Sequence, residues 1–137
     1  MSVEVKSLDK RFVRFVKPLR ETAEGFFKFL RGPVSKVDIF IVNSSQMRKI
    51  NFRYRGKDKN TDVVAVEAPE FPEIEGQVLL GEIYLNPAAL KDKPYDINYA
   101  LIHGLLHLIG FTHQKKSDKM EMEKTEQEVL EWLKHTS

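Results

Sequence analysis

The spacing of apolar positions changes several times along this chain, and each change predicts an element. Val3 and Val5 alternate with polar neighbours, as in a short strand. Phe12, Phe15/Val16, Leu19, Ala23, Phe26 and Leu30 recur every three or four residues, which predicts an amphipathic helical region to about Leu30. Pro18 interrupts it and fits best in a first turn, where no internal helix bond is lost. Gly32-Pro33 ends the region, and the β-branched run VDIFIVN, Val37 to Asn43, predicts a central strand. Ser44 or Ser45 is placed to cap the next helix, with Met47, Ile50 and Tyr54 on its inner face. Val63 to Ala68 and Leu79 to Asn86 read as two more strands, separated by an exposed, mobile loop, Glu67 to Gly76, with two prolines and four glutamates. Asp96 caps INYALIHGLLHLIG, which is apolar nearly all round and therefore a buried central helix. Ser117 or Asp118 opens a last helix with Met122, Val129 and Trp132/Leu133 facing inward. Four strands and about four to five helices in mixed order predict an α+β fold, one domain over residues 1–137 with a small mixed four-stranded sheet.

Composition changes little in that picture but limits the chemistry. The 137 residues suit one core without staples, and no internal repeat or low-complexity linker divides them. The N-terminus carries Glu4, Lys6, Asp9 and Lys10 and lacks an apolar signal core. No stretch approaches the roughly 20 apolar residues that span a bilayer. A soluble, cytoplasmic protein with no membrane partner is expected. There are no cysteines, so neither a disulfide nor a thiolate metal site is available, and any transition metal must be held by His and carboxylate.

Charge is segregated. Residues 1–62 hold 15 Lys/Arg against 7 Asp/Glu, a net of +8, and residues 63–137 hold 7 against 13, a net of −6. A basic front half gives a local positive surface suited to an anionic partner, or simply a solvated basic face.

Two stretches carry candidate chemistry. HGLLHLIGFTH contains three of the four histidines, His103, His107 and His113. Residues i and i+4 of a helix share a face, so His103 and His107 can present two imidazoles to one ion. Gly110 is the residue type that lets a helix stop in the left-handed conformation and turn, which would bring His113 to the same ion. The spacing matches the histidines and glycine of HExxHxxGxxH, except that Gly104 stands where a peptidase has its general-base Glu. Three neutral imidazoles leave a fourth position for water, the arrangement of a catalytic zinc, where the pKa of water falls to about 7. One Zn2+ per chain is expected, although imidazole suits nickel, iron and copper as well. His135 reads as a surface residue. In the second stretch, Arg48, Lys49, Arg53, Arg55, Lys57 and Lys59 surround Phe52 and Tyr54. Guanidinium forks suit phosphates and aromatic rings stack on bases, so this mixture fits single-stranded RNA, or else a basic helix end that complements the helix dipole. Glu82 is a strand carboxylate that could face the histidine helix or merely be exposed.

These residues resemble the YbeY family, metal-dependent endoribonucleases of ribosomal RNA maturation. The family signature HGxLHLxGYDH appears as HGLLHLIGFTH, and NxxYRGKDxPTNVLSF appears as NFRYRGKDKNTDVVAVE. The tail MEKTEQEVL resembles the family's MExxE ending. Phe111-Thr112 replaces Tyr-Asp, and NTDVVAV replaces PTNVLSF. The resemblance implies a zinc held by His103, His107 and His113, an α+β core, and Arg55 acting catalytically on the RNA phosphate. It implies a single-strand-specific hydrolase acting on rRNA or the ribosome. Two alternatives remain from the residues: a non-catalytic ribosome assembly factor with a structural metal, and a metallopeptidase, against which the missing Glu argues.

Overall fold

The computed structural model describes residues 2–30, 35–68, 73–74, 77–110 and 116–136. Strand β1 (Ser2–Ser7) leads through a 3-10 turn, Lys10–Phe15, into helix α1 (Val16–Leu30), and Pro18 does lie in the first turn of α1. Strand β2 (Ser35–Ile41) and helix α2 (Ser44–Arg55) follow. Next come β3 (Val63–Glu67), the two-residue β4 (Glu73–Ile74) and β5 (Gln77–Leu85). A 3-10 turn at Pro87–Leu90 precedes α3 (Ile97–Leu108) and α4 (Lys116–Thr136). Glu67 ends β3, and the segment after it, expected as loop, contributes the short strand β4 at residues 73–74, which pairs with β5; residues 69–72 and 75–76 lie outside the described part.

The four main strands form a mixed sheet in the order β1-β2-β5-β3, with β4 hooked onto β5. β1 pairs parallel with β2, β2 parallel with β5, and β3 antiparallel with β5. Alternation sorts the side chains to two faces. Val5, Val37, Ile39, Ile41, Ile83 and Leu85 point to one face and are buried there against Leu19, Ala23 and Phe26 of α1, Leu101, Ile102, Leu105 and Leu106 of α3, and Met122 and Val129 of α4. Burying each such aliphatic side chain contributes about 1.5–3 kcal/mol, so this face carries most of the stability. The other face holds a smaller cluster, Val42, Val64 and Tyr84, under Met47 of α2. No helix among the described residues is long and apolar enough to cross a membrane.

Helix starts follow local chemistry. Asp96 caps α3 as expected, accepting from the Tyr99 N–H at 3.0 Å. The cap of α2 is neither Ser44 nor Ser45 but Asn43, one residue earlier. Its side chain accepts from the Gln46 N–H, and the Gln46 side chain accepts from the Asn43 N–H. Glutamine at the third helical position closes this reciprocal box, whereas a cap at Ser44 or Ser45 would put Met47 or Arg48 there, neither with a carboxyl or amide oxygen to accept from the cap N–H. Gly110, just beyond α3, takes a φ of 112°, the positive backbone angle expected for the residue that turns the chain away from the helix.

Candidate functional site

α3 lies directly across β3 and β5, and Gly104 permits the approach. A Cβ there would meet Val63 Cγ2 at 3.2 Å and Ile83 Cδ1 at 3.4 Å. The position of the peptidase glutamate is thus held by a packing glycine, and a side chain there would require Val63 and Ile83 to shift by a few tenths of an ångström. His103 and His107 flank Gly104 on the same helix, and all three line one cavity of about 480 Å³. The opposite wall comes from β3, through Val63, Ala65, Val66 and Glu67, and from the end of α2, through Tyr54 and Arg55.

His103 is held from behind. Its Nδ1 lies 2.7 Å from Glu126 Oε1, and Glu126, on α4, is only 1% exposed. Burying a carboxylate is costly unless it is paired, so this contact fixes both partners. With Nδ1–H donating to the carboxylate, the lone pair of the ring sits on Nε2, the arrangement found behind histidines that ligate metals. The ring of Tyr99 stacks on His103 at 6.2 Å, and Tyr95, just before the cap of α3, packs on Tyr99 at 4.6 Å, so an aromatic ladder runs back to the start of the helix. At its far end the Tyr95 hydroxyl donates to Asp62 at 2.6 Å. Burial and this carboxylate push its pKa up to about 12.

On the other wall, Tyr54 stacks on Tyr84 at 6.1 Å, and Tyr84 stacks on Phe40 at 5.2 Å. The Tyr84 hydroxyl donates to Glu82 at 2.8 Å; burial first, then that carboxylate, raises its pKa. Glu82 therefore belongs to the α2 face of the sheet, in a separate cavity with Asp38 and Gly81, and does not face the histidine helix. The period of two along β5 sends Ile83 to α3 and Glu82 away from it.

The two histidines of α3 and Arg55 thus share one cavity. His113 lies outside the described residues, and no cluster of three metal-capable side chains occurs among the described ones. Two imidazoles at helical spacing, one oriented by a buried carboxylate, are a donor set that suits Zn2+ or a similar ion. Lys49 is exposed, and Arg53, Lys57 and Lys59 lie in an unbroken run of exposed positions from residue 52 to 60. Arg53 lies over the Tyr54 ring at 5.4 Å. Arg48 instead makes an exposed ion pair with Asp58 at 3.1 Å. His135, read as a surface residue, is exposed and pairs with Glu131 one turn away.

Two cavity-associated carboxylates, Glu126 and Glu67, were not expected from the sequence. For Glu126 a signal did exist: it falls on the inward stripe Met122, Glu126, Val129, Leu133, where a charge needs a buried partner. Glu67 had no signal beyond ending a strand.

The sequence profile of the Endoribonuclease YbeY family matches residues 2–134. An Endoribonuclease YbeY of Buchnera aphidicola subsp. Schizaphis graminum is 34% identical over 95% of this chain and 83% of its own length. Another from Thermodesulfovibrio yellowstonii is 33% identical over 97% and 89%. A solution structure of a Thermotoga maritima protein shares the fold, with a TM-score of 0.58 and 24% identity over 98% of this chain and 93% of that one.

Proposed function

The chain belongs to the Endoribonuclease YbeY family, and from that premise we propose that it hydrolyses single-stranded RNA, in the maturation of ribosomal RNA, around a Zn2+ ion. His103, His107 and His113 would hold the ion, the third histidine following from sequence spacing. One observation carries the reading: a single cavity of about 480 Å³ joins the histidine pair to Arg55 at the end of the basic helix α2. A metal next to a guanidinium, on a basic surface, suits a phosphodiester better than a peptide. Gly104, packed on Val63 and Ile83, stands where a peptidase carries its general-base glutamate.

When bound, the ion supplies Lewis acidity toward a phosphate oxygen and lowers the pKa of water. The protein's own groups do the remainder. Arg55 binds the non-bridging phosphate oxygens with its planar fork and offsets charge that develops there. The Glu67 carboxylate, on the cavity wall, is the acceptor at hand for a proton from the attacking water. Glu126 keeps His103 in one tautomer and one ring orientation. Arg53, Lys49, Lys57 and Lys59 hold the strand by its backbone, an interaction that weakens with salt.

The test is His107→Ala, assayed for bound metal by elemental analysis and for cleavage of a single-stranded RNA. Loss of both is expected. Full cleavage by a metal-free variant would overturn the mechanism.

A further inference from the structure

The outward face of α2 carries a feature the cavity does not use. Ser45, Lys49, Phe52 and Arg55 follow one another at helical spacing and are all exposed, so they form one stripe that ends in the histidine cavity at Arg55. Phe52 stands one turn before Arg55 and is 61% exposed, an unusual position for a large apolar ring. It lines a second cavity of about 590 Å³ with Ser44, Arg48, Lys49, Asp58 and Asn60.

The walls of that cavity are braced. Asn86, fully buried, donates from its Nδ2 to Asn60 Oδ1 at 2.8 Å and to Ser44 Oγ at 3.1 Å, and Asn60 Nδ2 donates to Ser44 Oγ at 3.0 Å. The Arg48–Asp58 pair closes the other side. Lys49, which makes no ion pair among the described residues, supplies the positive charge. An exposed aromatic face, amide and hydroxyl groups held in place beside it, and a lysine at the rim match the three parts of a nucleotide: base plane, base edge and phosphate.

We propose that Phe52 is the stacking platform of a base-binding subsite, which takes an unpaired nucleotide next to the phosphate held by Arg55. This rests on the RNA reading above. The subsite requires an unstacked base, so it favours single strands over duplexes. Asn60 and Ser44 give it hydrogen-bonding groups toward the base edge.

Fluorescence anisotropy on the zinc-loaded protein tests it, using a short labelled phosphorothioate RNA single strand and an abasic strand of equal length and charge. Phe52→Ala is expected to keep the thermal midpoint of the parent, because the ring is exposed, and to bind the single strand about ten-fold more weakly. Phe52→Trp should restore binding. The abasic strand should not distinguish the three proteins. Unchanged binding of the single strand by Phe52→Ala would overturn the subsite and leave the RNA reading intact. An equal loss on the abasic strand would overturn stacking. If the unaltered protein binds neither strand, the RNA reading fails and the subsite falls with it.

Discussion

Glu126 shows how a single residue can matter to a site that it does not line. Its carboxylate is sealed behind His103, so removing its charge should be felt by whatever the imidazole holds. Glu126→Gln keeps the shape and one acceptor but weakens the grip on Nδ1–H. Metal affinity is expected to fall about 10–100-fold, measured by chelator competition, with the fold retained. Equal affinities would mean that Glu126 serves packing alone. The pairing also marks what the sequence could and could not reveal. His103 and His107 were legible because a spacing of four is local, and Gly110 because its backbone angle is a local demand. The partnership of residues 103 and 126 joins two helices, and only the arrangement of those helices displays it. Gly104 was legible as a missing glutamate, but its reason, contact with Val63 and Ile83, was not.

Among the elements, α2 carries Arg55 and much of the basic surface and is anchored to the start of the chain. Asp9 accepts from the Arg11 side chain and backbone, and from Asn43 Nδ2 at 3.1 Å, while Asn43 is itself the cap of α2. Those donors, the Arg11 guanidinium above all, hold the Asp9 carboxyl well below the usual carboxylate range. A depressed folded-state pKa contributes stability above the ordinary value of about 4, and that stability is lost as pH falls through the depressed value. Asp9→Asn should therefore be less stable than the parent near neutrality, with the gap narrowing as pH drops below about 4. Urea unfolding across a pH series measures it, and a gap that does not change with pH would exclude the carboxylate as the cause. Strand and helix positions were largely readable because periods of two and 3.6 differ so clearly in this chain. The cap of α2 was missed by one residue, since Asn43 also reads as the end of a strand.

At the scale of the whole molecule, the sheet is joined at Gly81. Its φ is 140°, and a Cβ there would lie 2.1 Å from the backbone oxygen of Val66 on β3. The register between β2 and β5 shifts at the same level, between Lys36 and Val37. A clash with backbone has no side chain to move aside, so Gly81→Ala should cost more than about 2 kcal/mol, read from chemical denaturation. A cost within a few tenths would show that the strands can separate there. The class of fold was legible from the mixed order of elements. Strand order was not, because parallel partners are chosen across the molecule and leave no local trace, and a two-residue strand such as β4 has no period at all. The charge imbalance, in contrast, gained a location: much of the basic excess lies on α2 and the loop after it, beside the cavity.

The parallel pairing of β2 with β5 also governs the order in which the chain can assemble. Ile39 pairs with Ile83, and α2, β3 and β4 all lie between them in sequence. As the polypeptide leaves the ribosome, β1, α1 and β2 emerge together and can meet, but one edge of β2 waits until β5 is made. Loop closure over such a separation is slow, and the waiting edge is the surface on which two nascent chains could pair wrongly. Asp38, at the centre of β2, puts a negative charge on that edge until Glu82 and its strand arrive beside it.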